Sequence, residues 1–461
     1  MKKIYNLTDG PIIKKLLLVA LPVLLTSLAQ MAYNLTDMFW IGRVDEIGMN
    51  ESAAIAAIGT AGYAAWLAFG FILFAKIGIS VKISHAVGQN KPHDIDVYAT
   101  NGLLLELVLG ILYSLSIFIF RNEFLGIFKI DDQLTYNYAL QYLPIIGGFM
   151  VFQFISSGFS AINEGLGQTK RNLIILAIGL VVNMVLDPIL ILKFGWGIKG
   201  AAIATVIAQG LTIIVFYLVY RRNNKNIAIF RFKEMNFKAI WNILKIGLQV
   251  GLHSILFTGI SIYIARMVYN YGYQVVSAQR IGTQIEQLTW MIGGGFQTAI
   301  TVFVGQNIGA KQFTRIRKGI LYVSMILIPY SLFVVALLFF GSEGLIGIFS
   351  DDPEVIRIGG IYLTIISLSQ IFMMLEAIGA GLFNGLGKSL TPSLNGIVGN
   401  IIRIPLATLL VVSLNEEGIW WSLNISSIFK GMVMVVAAVF ILTRLEKLNL
   451  KSLNDKMTAK V

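Results

Sequence analysis

The sequence predicts an all-α polytopic membrane protein, with twelve transmembrane helices arranged as two pseudo-symmetric six-helix bundles. Three observations predict it. The 461 residues are 56% hydrophobic and only 13% charged, whereas soluble domains carry about a quarter charged residues. Crossing the hydrocarbon takes roughly 20 apolar residues in a helix, and twelve segments are long enough. Short motifs also recur in the same order at a spacing of 217–221 residues.

The spans of the first half are expected at 13–41, 53–80, 100–120, 137–162, 171–193 and 198–220. Those of the second half are expected at 240–269, 275–303, 318–340, 356–383, 391–413 and 418–443. Several exceed the minimum by a turn or two, which permits tilt. The first apolar run, Ile12 to Trp40, is too long for the core of a signal peptide and no small-residue cleavage site follows it. Alternate loops differ in charge. Lys2, Lys3, Lys14 and Lys15 precede the first span. Arg221, Arg222, Lys225, Arg231, Lys233 and Lys238 join spans six and seven, and Lys311, Arg315, Arg317 and Lys318 follow span eight. The intervening loops hold Asp45, Glu46 and Glu51, then Glu343, Asp351, Asp352 and Glu354, then Glu416 and Glu417. Lys/Arg-rich loops stay in the cytoplasm, so both termini are expected on the cytoplasmic side of the cell membrane, which requires an even number of spans. Two loops depart from the rule: 82–96 is balanced, and Lys193 and Lys199 fall on an outer loop. The basic clusters set topology. A nucleic-acid interface would need a soluble module with aromatic and polar partners, and none is present in the sequence.

The repeat defines the domains. VGQN occurs at Val87–Asn90 and Val304–Asn307, and LGIF at Leu125–Phe128 returns as IGIF at Ile346–Phe349. Both are followed by paired aspartates, Asp131–Asp132 and Asp351–Asp352. NEGLG at Asn163–Gly167 returns as NGLG at Asn384–Gly387, and Asn183 with Pro188 returns as Asn400 with Pro405. The chain is therefore expected to form lobes 1–225 and 226–461. Six spans per lobe make the repeats parallel, an arrangement in which two bundles rock about sites near the midplane.

The lobes differ in their acids. Leu21–Gly42 carries Asp37, and Leu180–Leu192 carries Asn183 and Asp187; the repeat places Ile404, beside Arg403, opposite Asp187. A carboxylate within a span is by default a functional hypothesis. Asn183 and Asp187 stand four apart and share a helix face. Two carboxyls in one apolar setting can carry a proton, and with the Asn183 amide oxygen they offer hard oxygens to Na⁺. Pro188 removes a backbone hydrogen bond and kinks the helix, freeing a carbonyl nearby. Glu286 lies among Gln279, Thr283, Gln284 and Gln287, and Glu376 follows Met373 and Met374. These acids could line a cavity for a cationic substrate, with Met291 among the soft apolar side chains that suit promiscuous binding. Glu164 either joins them, or caps the helix end or pairs with Lys170 or Arg171, and Glu106 faces either the span or a loop. The absence of cysteine excludes disulfides and thiolate chemistry, and three histidines are too scattered for a metal centre. No phosphate-binding loop, HExxH or nucleophile elbow is present, so an enzyme is not expected and an ion gradient must supply the energy.

YNLTDMFWIG in span one, VGQN after spans two and eight, NGLGKS, and NMVLDP in span five, within twelve spans, resemble the multidrug and toxic compound extrusion (MATE) family over about residues 10–443. The resemblance implies a secondary antiporter without cofactor that expels cationic or lipophilic small molecules in exchange for H⁺ or Na⁺. It implies a cation site at Asp37, Asn183 and Asp187, and substrate contacts at Glu286, Glu376, Glu164, Met291 and Gln284. Membrane lipid is the surrounding, and a monomer is expected. The competing reading is a flippase for lipid-linked oligosaccharide, a related architecture that would favour a strongly cationic cavity. A channel or membrane enzyme is disfavoured by the two-lobed repeat and the missing motifs.

Overall fold

The computed structural model describes residues 6–41, 43–128, 130, 132–223 and 235–458. The basic segment 224–234, the expected boundary at 225 and 226, and Asp131 lie outside the described residues. Within them the chain is helical, with no strand. The helices are α1 (Ile12–Ile41), α2 (Glu51–Gly88), α3 (Pro92–Ile119), α4 (Arg121–Gly126), α5 (Gln133–Gly148), α6 (Val151–Gly165), α7 (Thr169–Pro188) and α8 (Gly197–Asn223). There follow α9 (Phe237–Tyr269), α10 (Tyr273–Gly309), α11 (Phe313–Phe340), α12 (Ser342–Gly347), α13 (Pro353–Ser367), α14 (Gln370–Gly385) and α15 (Leu390–Thr458).

Nine of these are long and apolar enough to cross a membrane, or eleven if the pairs α5–α6 and α13–α14, bent by 42° and 48°, are each one span. Helix α15 is interrupted at Asn415 (φ 49°, ψ −134°), between the spans expected at 391–413 and 418–443. The bends are legible in chemistry. Helix α5 closes on Gly147–Gly148, and the N–H that the break frees at Val151 donates to Ser114 Oγ of α3 at 2.9 Å. A helix terminus inside the hydrocarbon needs such a partner.

Two units emerge. The first contains Leu21–Gly251, and the second contains Leu7–Ala20 and the chain from Leu252 onward. Helix α1 thus begins in the second unit and continues in the first, and α9 does the reverse. Within the first unit, Ile79, Ile83, Leu103, Phe159 and Phe216 form one core cluster, and Tyr113, Leu143 and Phe154 anchor another. Within the second, Phe303, Val323 and Leu382 do so, as do Tyr362, Leu363 and Trp420. The outward sides are apolar too. Leu112, Leu115 and Ile119 make an exposed stripe along α3, and Val181 and Val185 another along α7. Stripes of this extent on many helices suit lipid.

The repeated motifs shape the helix ends. Gly167 and Gly387 both adopt left-handed backbone (φ 73° and 72°). In the first copy the N–H of Gln168 donates to Asn163 O at 2.7 Å, and in the second that of Lys388 donates to Phe383 O at 2.8 Å. This is the glycine-closed helix terminus. Asp132 and Asp352 cap α5 and α13 by accepting backbone N–H groups. The second VGQN also holds the segment that precedes α1. Gln306 Oε1 accepts the Leu7 N–H at 2.9 Å, and Asn307 Nδ2 donates to Leu7 O at 3.3 Å.

Gly387→Ala forces an L residue into left-handed backbone and should cost about 1–2 kcal/mol, read as a lower melting temperature of the purified protein. Asp132 lies outside the spans, and hydrogen bonds from Thr135 hold its carboxyl below the ordinary carboxylate range. A depressed folded value means that the cap's contribution is present above the ordinary value of 3.8 and fades as pH falls through the folded one. The melting difference between wild type and Asp132→Ala should therefore shrink on acidification below that range.

Candidate functional site

Asp37 lies in the last turn of α1, half-buried, and Asn183 and Asp187 lie in the last two turns of α7, both buried. The fold brings these three expected residues together in the first unit. Asn183 Nδ2 donates to Asp187 Oδ1 at 2.9 Å. The Asp187 and Asp37 carboxyls lie close enough to act on each other, and Tyr142 of α5 stands close enough to feel both acids. Ionised carboxylates only accept hydrogen bonds, so the two can bond to each other only when a proton lies between them. Asn183 Oδ1 and Asp187 Oδ2 are buried, and no N–H or hydroxyl of the described residues reaches them. Buried oxygens without donors are costly, and a monovalent cation or proton would satisfy them.

Pro188 produces a wide turn. Helix α7 ends on it, and Ile189–Lys193 continues as a π-helical turn. A proline cannot donate to the carbonyl one turn earlier, and π turns loosen the backbone ladder at such points. Asp187 sits immediately before this widening. Tyr142 is a member of the site that sequence reasoning misses; a tyrosine within an apolar span carries no signal that separates it from packing.

In the second unit Glu286 is buried and fully engaged. Its Oε1 accepts from Trp290 Nε1 at 3.2 Å and from Gln370 Nε2 at 3.3 Å, and its Oε2 accepts from the Tyr362 hydroxyl at 3.3 Å. Tyr362 stands edge-on to Trp420, whose Nε1 donates to Gln279 Oε1 at 2.9 Å. Gln284 and Gln287 are exposed on the same helix, and Met291 is half-buried. Glu376 is half-buried on α14 and pairs with Lys430 at 3.2 Å. Arg403 is buried, with Nε on Ser426 Oγ at 3.0 Å and Nη2 on Ser427 Oγ at 3.3 Å. Asn400, the repeat counterpart of Asn183, lies 3.3 Å from His253 Nε2.

Glu164 departs from expectation. It is buried at the end of α6 and pairs at 3.5 Å with Lys76 of α2, not with Lys170 or Arg171. Helices α2 and α6 pack closely, since a Cβ at Gly165 would lie 2.8 Å from Ser80 O, and this brings the lysine within reach. Glu106, open in sequence between span and loop, is fully buried. Helix α3 begins at Pro92, eight residues before the expected start at 100, which carries Glu106 into the middle of the helix.

A model of the MatE family matches residues 22–189 and 250–409. The probable multidrug resistance protein NorM of Thermotoga maritima is 25% identical, over 92% of this chain and 91% of that protein. The FAD transporter of Shewanella oneidensis is 23% identical, over 94% and 95%. A solved outward-facing conformation of a multidrug resistance MATE family transporter of the MOP superfamily superimposes with a TM-score of 0.87 at 19% identity, over 97% of this chain and 99% of that one. This likeness speaks to the fold.

Tyr362→Phe removes one donor from buried Glu286. The loss should be roughly 1.5–3 kcal/mol, the range for hydrogen bonds to charged groups, seen as earlier thermal unfolding in detergent.

Proposed function

The chain belongs to the MatE family of multidrug efflux transporters, and from that premise we propose that it is an antiporter that exports cationic or lipophilic small molecules in exchange for H⁺ or Na⁺. It is a multi-pass membrane protein, and the family transports rather than catalyses. The observation that carries the proposal is the Asp37–Asp187 carboxyl pair with Asn183 beside it. With a proton between them the two acids carry one net negative charge, and without it they carry two. In the second state the charges repel within a low-dielectric surrounding, so H⁺ or Na⁺ binds before the site can close. Asn183 Oδ1 and Asp187 Oδ2 supply further oxygens for Na⁺.

The cycle follows. The outward-open state takes up the ion as substrate leaves, the two lobes rock, and the ion is released inside. Both termini stand in the cytoplasm, in keeping with the basic loops. For the positive charge of a substrate the second unit offers Glu286 and Glu376, with Met291 as adaptable apolar surface; Glu164 and Gln284 are the lesser contacts. A flippase for a pyrophosphate-linked lipid would want cationic groups free to meet the anion. Arg403 is held by Ser426 and Ser427, and Lys430 is held by Glu376.

The test is ethidium uptake into inverted vesicles under an imposed proton gradient or an imposed Na⁺ gradient, each applied separately. Asp187→Asn should abolish coupled uptake while leaving the protein folded in the membrane. A normal rate in that variant would overturn the site assignment. The gradient that drives wild-type uptake identifies the ion.

A further inference from the structure

A second ionisable cluster lies in the first unit. Glu106 of α3 is 0% exposed, and neither carboxyl oxygen has a hydrogen-bond donor among the described residues. Gly158 of α6 packs directly on it: a Cβ there would stand 3.2 Å from Glu106 Cγ and 2.9 Å from Leu103 Cδ2. The charge that acts on Glu106 is the Lys76 ammonium of α2. Lys76 in turn pairs with Glu164 at 3.5 Å, and its side chain is 25% exposed. Of the other helices packed on α3, α5 has no charged residue, and Arg121 and Glu123 of α4 lie beyond the end of α3.

This cluster is separate from the Asp37 site. Glu164 borders the turn between α6 and α7. Asp187 lies eighteen residues beyond the start of α7 at Thr169, ~27 Å of helix rise.

A carboxylate so buried and without donors is far costlier than the neutral acid. We propose that Glu106, Lys76 and Glu164 form a second proton-binding site of the first unit, in which Glu106 carries the proton. In the loaded state Glu106 is neutral and Lys76 pairs with Glu164. On unloading, the Glu106 O–H bond breaks and its electron pair stays on the carboxylate. The proton passes to water at the exposed part of Lys76, whose ammonium turns from Glu164 to Glu106. The trio's net charge falls by one, and no other reactant is needed.

The proton-binding claim stands by itself. Its consequence, a second proton moved in the cycle, rests on the antiport reading. Infrared difference spectra of the purified protein against pH test the first. Wild type should show the carbonyl band of a buried carboxylic acid that is lost at alkaline pH as carboxylate absorption rises. Glu106→Gln should lose that band apart from the part that a proton shared by Asp37 and Asp187 contributes, and Asp187→Asn, which removes that part, should keep the rest. Lys76→Met, which removes the cation that would receive the carboxylate, should keep the band unchanged across pH, and it carries the test if Glu106→Gln fails to fold. A carbonyl band that Glu106→Gln leaves undiminished, or one that pH never alters in wild type, overturns the proposal. In proteoliposomes, Glu106→Gln should retain exchange with fewer protons moved per ethidium; an unchanged ratio overturns the transport role. Absence of exchange by wild type would count against the antiport reading and leave the infrared result intact.

Discussion

The cost of an unanswered charge in hydrocarbon governs this structure. A charged group at the centre of a span is expensive however it is measured, and Glu286, Lys430 and Arg403 are each met by specific partners. Glu286 collects three donors from α10, α13 and α14. Lys430 finds Glu376, and Arg403 finds two serine hydroxyls and the face of Phe257, 5.8 Å from the ring centroid. These contacts tie helices distant in sequence into one bundle. They also explain glycines at close approaches. A Cβ at Gly396 would lie 2.2 Å from His253 Nε2, so only glycine leaves the imidazole room beside Asn400.

Local features are legible in the sequence and spatial partners are not. The spans, the repeat and the helix-ending glycines follow from hydropathy and turn chemistry, and those signals sit within a few residues of what they control. Asp37, Asn183 and Asp187 stand out because a carboxyl in an apolar run is conspicuous. Glu106 does not, because His93, Asp94 and Asp96 lower the hydropathy of the first turns of α3 and hide the helix that continues through them. The Lys76–Glu164 pair spans 88 positions, and only packing of α2 on α6 discloses it, whereas Lys170 and Arg171 are the nearer bases in sequence. The bends at Phe149–Met150 and Leu368–Ser369 fall inside the expected spans 137–162 and 356–383, which hydropathy reads as single helices. At Asn415 the reverse holds: the polar Asn415–Glu417 reads as a loop, but the helix continues on both sides of one residue in non-helical conformation.

The repeat preserves backbone and lets polar chemistry diverge. Gly167 and Gly387 make the same turn, and Asp132 and Asp352 make the same cap. At the paired Asn183 and Asn400, however, one amide meets a carboxyl and the other an imidazole. Helix ends must be closed in either unit by the same geometry, so those residues tolerate little change. The positions between them are free to carry whatever charge the unit needs.

That freedom explains why we place ion exchange in the first unit. A ligand that binds Glu286 must first displace Trp290, Gln370 or Tyr362, and one that binds Glu376 must compete with Lys430. Each exchange loses a contact for the one it gains. Such sites suit a bulky cation whose apolar body adds burial of its own. A small ion brings no such area and needs oxygens that are already desolvated and still lacking a donor. Asn183 Oδ1 and Asp187 Oδ2 meet that description. Binding there displaces no donor of the fold, which is why we propose that the small ion binds in the first unit and the large substrate at the acids of the second.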